Sequence, residues 1–456
     1  MMAGTSQTAH WSSRWTFIMA AVGSAVGLGN IWKFPYEAGQ GGGGAFVLIY
    51  LFFVFVIGTP VLVAELSLGR RGQKSPIGSM AKIAKEEGRS PLWSLIGWSG
   101  VLGAVIVLSF YSVIGGWTLS YMFDAFAGTF SGMDAAAAGA HFGGLLTNEY
   151  AVIGWHAAFM GLTMFIVARG VEGGLEKAVT YLMPALFALL IGLAIYSSIA
   201  GDLAATVDFL FKPDFSKLTF DVMLQALGQS FFSLSLALGS IMTYGAYMTR
   251  DVNIGKSAVI IASADTGVAI MAGMMIFPIV FAYGLVPGQG PGLIFATLPI
   301  AFGQMSGGAF IGGAFFFLLV VAAITSSISL LEPSVSYITE KTGANRRKVA
   351  LMIGGFIFTM GILSGLSQGD NPVADISIFG RSILDAKDFL TNNIMMPIGG
   401  MFSAIFVGWF VSRKNMMEEL AMEDGTFRIW YFLVRFICPV AIGAVFVSII
   451  YNTVTG

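Results

Sequence analysis

The sequence is poor in charge, in cysteine and in histidine. Only 11% of its 456 residues are charged, against about 25% in an average soluble chain, while 56% are hydrophobic. Because the mean hydropathy of the sequence is +0.80, we expect an integral membrane protein. The single cysteine, Cys438, excludes an internal disulfide and a thiolate metal cluster, and the scattered His10, His141 and His156 argue against a metal site.

The few charges are nearly balanced. The formal net charge is −1 at pH 7, so no basic surface is available and no nucleic-acid partner is expected. No stretch has the composition of a soluble domain or a low-complexity tail, and no repeat of about 20 to 50 residues is present. We therefore expect residues 1–456 to form a single membrane domain.

Apolar runs of about 18 residues or more predict eleven membrane-spanning helices. Their approximate limits are 14–38, 45–69, 93–123, 150–168, 174–200, 222–248, 256–285, 308–339, 349–367, 390–411 and 429–452. The first run is not preceded by a basic segment and is about 25 residues long, which is typical of an uncleaved first span. The outer segment 286–307 is apolar enough to re-enter the membrane or cap the bundle.

The distribution of lysine and arginine predicts the orientation. With the N-terminus in the cytoplasm, 18 of these residues face the cytoplasm and five face outside. An odd number of spans places the termini on opposite sides. We expect a cytoplasmic N-terminus and an external C-terminus.

Two spans are interrupted by small and polar residues. Residues 23–30 read "GSAVGLGN", and three glycines weaken a helix by up to about 1 kcal/mol each relative to alanine. Residues 228–247 read "GQSFFSLSLALGSIMTYGAY" in the sixth span. Weak helices five spans apart indicate two five-helix halves, near 14–200 and 222–411, with an eleventh helix near 429–452. In transporters with inverted repeats, such broken helices expose the carbonyls that bind substrate and ions.

Four segments carry a resemblance to a known family. They are "AVGSAVGLGNIWKFPYEAGQGGGGAF" (21–46), "SFYSVIGGWTLSY" (109–121), the interrupted segment of the sixth span and "AAITSSISLLEP" (322–333). Together they resemble the neurotransmitter:sodium symporter family, in its bacterial eleven-helix amino-acid branch. The resemblance implies an all-α leucine-transporter-like fold with two inverted repeats, broken helices 1 and 6 and one extra helix. It also implies a bacterial inner-membrane symporter rather than an enzyme, with lipid and a small amino acid as partners and no indication of oligomeric state.

The resemblance implies two Na⁺ sites. The first takes the carbonyl of Ala25, the amide oxygen of Asn30, and the side chains of Ser233 and Asp265. The second takes the carbonyls of Gly23, Val26 and Ala322 and the hydroxyls of Thr325 and Ser326. Oxygen donors of this kind suit a hard cation. Asp265 is also distinctive by itself, because a carboxylate deep in an apolar span costs roughly 2.5 to 3.5 kcal/mol.

The implied substrate pocket joins residues of helices 1, 3, 6 and 8. They are Ser24, Ala25, Gly27, Leu28, Gly29, Val107, Tyr111, Phe232, Ser233, Ser235, Leu238, Ser326 and Leu330. Gly27 stands where monoamine transporters carry an aspartate, and apolar side chains line the far end. The resemblance therefore favours a neutral, hydrophobic α-amino acid.

The fixed carboxylate of Asp265 stands where chloride-dependent members have asparagine. It implies transport without chloride, and a return step in which the carboxylate carries a proton outward.

Gates are implied on both sides of the pocket. Lys33 and Asp388 match the outer gate pair of the family, and Trp11 and Glu340 match residues of its inner gate. The family's arginine partner for Glu340 falls on Thr8, so Trp11 packing, or Arg14 in its place, is expected to close the inner side.

Other interpretations of these residues remain. Small residues such as those of 23–30 often serve close helix packing, and helical serines and threonines often bond back to the preceding turn. The string "GLSQG" (365–369) has the form of a hydrolase elbow, but it ends an apolar helix far from any histidine. An ion channel could also use broken helices. A channel would conduct without substrate, whereas a symporter would not.

Overall fold

The computed structural model describes residues 10–285 and 292–455, with side chains to residue 448. No β-strand occurs in these ranges, which hold only two isolated bridges. The helices are α1 Arg14–Ala25, α2 Gly29–Gln40, α3 Gly44–Gly72, α4 Pro76–Glu86, α5 Pro91–Phe126, α6 Ala135–Thr147, α7 Glu149–Val167, α8 Val171–Ala200, α9 Leu203–Phe211, α10 Phe220–Ser233, α11 Ser240–Ala246, α12 Ile254–Ala282, α13 Leu293–Gln304, α14 Gly308–Thr342, α15 Arg346–Leu366, α16 Ile383–Phe410, α17 Arg413–Leu420 and α18 Asp424–Thr455.

The expected helical membrane architecture is confirmed. Within the described ranges, nine helices are long and apolar enough to cross a membrane, and the bent pair α1 and α2 would make a tenth. The predicted sixth span is divided between α10 and α11, each too short to count alone. Eleven spans are consistent with this arrangement. Of the segment 286–307, residues 286–291 lie outside the described residues, and the rest includes the short helix α13.

The predicted start of the tenth span was wrong by seven residues. The apolar run begins near residue 390, but α16 begins at Ile383, where the hydroxyl of Ser382 caps it by accepting from the amide of Asp385. The segment "LDAKDF" is too charged to read as a span, yet its side chains face a polar cavity or other helices rather than lipid. Charge within a span marks such surroundings.

The two broken helices lie side by side. The axes of α1 and α2 meet at 49°. Between α10 and α11 the chain is unwound over residues 234–239, where Ser235, Ala237 and Gly239 have positive φ values of 52°, 62° and 73°. The two breaks contact directly, because the Ser235 hydroxyl donates to the carbonyl of Ser24 at 2.8 Å. A side chain of one break therefore satisfies a backbone carbonyl at the other.

The centre of the bundle is formed by α14, which is 94% buried over its most apolar window and packs along α5. Buried serines on these helices bond back to their own preceding turns, as Ser112 does to Leu108 and Ser327 to Ile324. Such bonds let small polar residues occupy an apolar core. Of the broken helices, α1 and α11 pack against α14.

Candidate functional site

Two cavities meet at a thin partition near the helix breaks. The larger, a vestibule of about 770 Å³, opens between α2, α5, α10 and α16. The smaller pocket lies beside the breaks and is lined by Ser24, Ala25, Gly27, Gly29, Val107, Tyr111, Phe232, Ser235, Leu238, Ser326 and Leu330. Gly29, Tyr111 and Phe232 line both cavities. The two aromatic side chains therefore separate the pocket from the vestibule.

Three of the four residues expected at the first Na⁺ site, Asn30, Ser233 and Asp265, lie together around the Asp265 carboxylate, while the fourth, Ala25, lines the small pocket. The hydroxyl of Ser233 donates to it at 2.6 Å, and the amide nitrogen of Asn30 donates to it at 2.7 Å. The phenol of Tyr50 donates to the same carboxylate at 3.4 Å. All four hydrogen-bonded side chains are at most 1% exposed. This is a dry cluster of oxygen atoms around one acidic group, with no basic residue bonded to it in the described part of the chain.

The residues expected at the second site also lie together, where α1 ends against α14. The Ser326 hydroxyl lies 3.4 Å from the carbonyl oxygen of Gly23 and 3.3 Å from that of Val26. The Thr325 hydroxyl donates to the carbonyl of Ala322 at 3.0 Å. Every donor in this group is neutral. The group spans α1 and α14, so its geometry depends on the distance between these helices.

Glycines of α1 and α2 define the shape of the pocket. A Cβ atom on Gly27 would lie 2.4 Å from the Ser326 hydroxyl and 2.9 Å from that of Tyr111. A Cβ on Gly29 would lie 2.7 Å from the Phe232 ring. Side chains at these two positions would therefore collide with the pocket wall. Tyr111 accepts from the amide of Leu28 at 3.2 Å, which leaves its own O–H able to donate into the pocket.

The rest of the pocket wall is apolar. Val107, Leu238 and Leu330 are at most 4% exposed and face the same cavity. Leu238 is supported from behind, because a Cβ on Gly103 would lie 3.2 Å from it and 3.6 Å from Met395. The wall can therefore contact a hydrophobic group but offers it no charged partner.

The expected outer gate residues face each other across the vestibule without an ion pair. Lys33 and Asp388 both line this cavity, and the ammonium group of Lys33 lies 4.8 Å from the centre of the Phe232 ring. The Asp388 carboxylate accepts from the amide of Asn392 at 2.6 Å. The vestibule is therefore open, and the charges of Lys33 and Asp388 do not form an ion pair across it.

The opposite side of the pocket is closed by aromatic packing. The indole of Trp11 donates to the carbonyl of Tyr244 at 3.1 Å and lies edge-on to that ring at 5.2 Å. Glu340 accepts from the amide of Ser75 at 2.7 Å and pairs with Lys74 at 3.9 Å. Glu340, on α14, therefore has Lys74 as its nearby cation, in place of the expected Arg14. Thr8 lies outside the described residues.

Bonds to the Glu87 carboxylate also link helices on the side of the pocket that Trp11 closes. Burial raises the pKa of the Glu87 carboxyl, but hydrogen bonds from Asn415, Arg71 and the amide of Ser412 lower it more, so the net pKa is below its usual value. The carboxylate joins the loop before α5 to the start of α17. This side therefore depends on several helices for closure.

Sequence reasoning missed four buried polar residues, three of which contact the breaks or the Asp265 cluster. Glu65 on α3 accepts from the amide of Ala237 at 2.9 Å, in the unwound segment. Gln229 donates to the carbonyl of Gly29 at 2.9 Å, and Tyr50 belongs to the Asp265 cluster. Glu332 on α14 is fully buried against Arg346. The carboxylates could have been found by the criterion applied to Asp265, since each is an acid within an apolar span.

Comparison with known proteins decides the family. Residues 8–138 and 139–455 match the sodium:neurotransmitter symporter family. The chain is a member of this family. An uncharacterized sodium-dependent transporter of Bacillus subtilis, YhdH, is 39% identical, with 96% of this chain and 97% of the relative covered. An uncharacterized sodium-dependent transporter of Haemophilus influenzae is 36% identical, over 98% of this chain and 99% of the relative.

A solved structure of the family has the same fold. The crystal structure of MhsT in complex with L-phenylalanine matches with a TM-score of 0.90 and 43% identity, covering 96% of this chain and 99% of that one. The leucine-transporter-like fold expected from the sequence is thereby confirmed. This symporter-family member is a multi-pass membrane protein and a sodium-dependent secondary transporter, not an enzyme.

Proposed function

We propose that this transporter couples the entry of two Na⁺ ions to the import of a neutral, hydrophobic α-amino acid by alternating access. The observation that carries the proposal is the small pocket beside both helix breaks, with an acidic oxygen cluster at one side and apolar residues at the other. The relative MhsT, solved with L-phenylalanine, supports an amino acid as substrate.

The shape at Gly27 favours an amino acid over a monoamine. Monoamine recognition in this family is expected to need an acidic side chain at this position, and a Cβ there would already lie 2.4 Å from Ser326. An α-amino acid brings its own carboxylate, which can ligate the first Na⁺ and accept from Tyr111. Its ammonium group can bind carbonyls exposed at the breaks. Val107, Leu238 and Leu330 would contact its side chain.

Asp265 supports transport without chloride. A Na⁺ bound beside Ser233 and Asp265 would be balanced by the fixed carboxylate, and no second anion is needed. The amide oxygen of Asn30 accepts from the amide of Gly27 at 3.1 Å, so Asn30 would turn its amide over to ligate the ion. When Na⁺ and substrate leave, the carboxylate loses its counter-charge in a dry site and is expected to return with a proton.

The orientation follows from the basic residues. The vestibule side carries few lysines and arginines, and the side closed by Trp11 carries most of them. We place the vestibule outside and the N-terminus in the cytoplasm of a bacterial inner membrane. Each Na⁺ entering down 100 mV contributes about 2.3 kcal/mol, so two exceed the ~4.1 kcal/mol of a thousandfold substrate gradient.

Uptake into proteoliposomes tests the proposal. We expect saturable, electrogenic uptake of neutral hydrophobic amino acids, when all twenty are compared, with an inward Na⁺ gradient and no loss when gluconate replaces chloride. Full uptake with K⁺ replacing Na⁺ would contradict coupling. Steady current with Na⁺ and no amino acid would instead indicate a channel.

A further inference from the structure

Lys387 is a cation on α16 with an unusual set of partners. Its ammonium group donates to the hydroxyl of Ser364 at 2.7 Å and the carbonyl of Met360 at 2.8 Å, both on α15. It also donates to the hydroxyl of Ser109 on α5 at 3.1 Å. All three donors of the ammonium group are therefore used, and they join α16 to two other helices.

No carboxylate balances this charge within 4.0 Å in the described ranges. On its own helix, Asp385 and Asp388 line the vestibule instead. The nearby titratable group on α7 is His156, whose ring nitrogen pairs with the Ser112 hydroxyl of α5 at 2.9 Å. A cation in a membrane span is costly, and methionine would occupy similar space without that cost. An unpaired lysine is therefore poorly explained by packing alone.

Lys387 matters because the residue after it, Asp388, belongs to the expected outer gate. Asp388 lines the vestibule opposite Lys33 of α2, while Lys387 points to the other face of α16. Ser109 lies two residues from both Val107 and Tyr111 of the pocket. The same turn of α16 is thus attached to the pocket-lining helix α5 on one face and presents a gate charge on the other.

We propose that Lys387 is a positioning residue that fastens α16 to α5 and α15, so that Asp388 stays in place while α2 and α10 close toward it. This inference rests on the proposed function, because it assigns α16 to the stationary side of the outer gate. It predicts that loss of the ammonium group weakens closure of the vestibule over bound substrate, with little effect on Na⁺ binding itself.

A labelling experiment measures this closure. Cys438 is the single native cysteine and is buried, so a Cys438→Ala background allows one reporter, Gln225→Cys, on the vestibule wall. The rate of reaction with a charged thiol reagent is measured against Na⁺ and against the best amino acid from the uptake assay. In the reporter protein with Lys387 unchanged, closure of the vestibule should slow the reaction.

Lys387→Met should raise the amino-acid concentration that gives half-maximal protection about tenfold. The Na⁺ concentration for half-maximal protection, measured at saturating amino acid, should change less than twofold. Lys387→Arg, which keeps charge and donors, should restore most of the protection. Lys212→Met is the matched control, since this lysine is 77% exposed and pairs with Asp208 of the preceding turn, and it should behave as the parent.

Several outcomes would overturn the inference. Protection in Lys387→Met equal to the parent would do so, as would an equal loss in Lys387→Met and Lys387→Arg. If Lys387→Met fails to fold, Ser364→Ala is measured instead. It should raise the amino-acid concentration for half-maximal protection twofold to fourfold, and an unchanged concentration would contradict the proposal. Absence of protection in the parent with any amino acid would contradict the proposed function instead.

A distance measurement tests the fastening without substrate. Spin labels at the exposed Leu363 of α15 and Leu390 of α16 should give one narrow distance distribution in the parent and a broader one in Lys387→Met. Identical distributions would exclude a fastening role whatever the protein transports.

Discussion

The two candidate Na⁺ sites differ in charge and in what they connect. The first surrounds the Asp265 carboxylate with hydroxyl and amide groups from α2, α3 and α10. The second contains neutral oxygens alone, contributed by α1 and α14. One is defined by a buried negative charge, and the other by the approach of a broken helix to the buried centre of the bundle.

This difference assigns the two sites separate tasks. A carboxylate beside the pocket can balance Na⁺ and an amino acid, so we expect the first site to govern charge balance and substrate coupling. Neutral carbonyls and hydroxyls bind Na⁺ only when several of them are correctly spaced. The second site should therefore bind when α1 is seated against α14 and release its ion when α1 moves.

The largest expected effect is at the second site. Replacing Thr325 and Ser326 together with alanine removes two of about five oxygens, and the remaining carbonyls are too few to ligate the ion. Transport should be abolished, as measured by Na⁺-driven uptake, and ²²Na⁺ binding should fall by about half. Ser327→Ala is the control, because that hydroxyl bonds to Ile324 and Thr163, away from the site. An unchanged apparent Na⁺ affinity in the double variant would show that Thr325 and Ser326 do not form a Na⁺ site.

The next effect tests the charge of the first site. Asp265→Asn removes the negative charge but keeps the shape, so uptake in gluconate should fall at least about tenfold, the factor that corresponds to ~1.4 kcal/mol. Chloride should restore part of the uptake if the anion can enter beside the asparagine. The surface variant Asp208→Asn should match the parent. Parent uptake that falls severalfold without chloride would contradict the role given to Asp265.

A smaller effect is expected on release from the second site. Met183 of α8 lies against Gly23, since a Cβ there would be 2.9 Å from its sulfur, and Pro184 follows in the helix. Gly174 lowers the cost of non-helical dihedral angles and Pro184 removes a backbone hydrogen bond, so we expect this end of α8 to open and admit water to the ion. Proline removes a backbone hydrogen bond, so Pro184→Ala should stabilise α8 and slow turnover about threefold to fivefold, with substrate affinity nearly unchanged.

Pro278→Ala, inside α12 near its C-terminal end, is the matched proline control and should leave turnover near that of the parent. Hydrogen exchange provides a second measurement. Protection of residues 174–184 that does not respond to Na⁺ would count against opening of α8.

The smallest expected effect concerns a neutral partner of the first site. Tyr50 donates to Ser233 at 3.1 Å and to Asp265 at 3.4 Å. Tyr50→Phe removes one net hydrogen bond of about 1 kcal/mol and should raise the Na⁺ concentration for half-maximal uptake about twofold to fivefold. A shift as large as that of Asp265→Asn would indicate that the hydroxyl network, rather than the charge, defines the first site.

Much of the architecture was determined by the sequence alone. Long apolar runs must become helices in a bilayer, because no other open structure satisfies the backbone there. The glycines and serines of 23–30 and 228–247 predicted both breaks, and Asp265 stood out because an acid in an apolar span is costly. These features depend on local composition, which can be read without knowing what packs against them.

The tertiary structure alone decided which distant residues meet. Asn30 contacts Asp265 across 235 positions of sequence, and Lys387 reaches Ser109 across 278. The start of α16 was also missed, because a charged segment is read as a loop until its buried partners are known. Glu65 lay inside a predicted span, but only the structure showed that it bonds to the unwound segment at Ala237. A hydrogen bond depends on the positions of two atoms to within a few tenths of an ångström. Spacing along the chain does not contain that information, and packing of the helices supplies it.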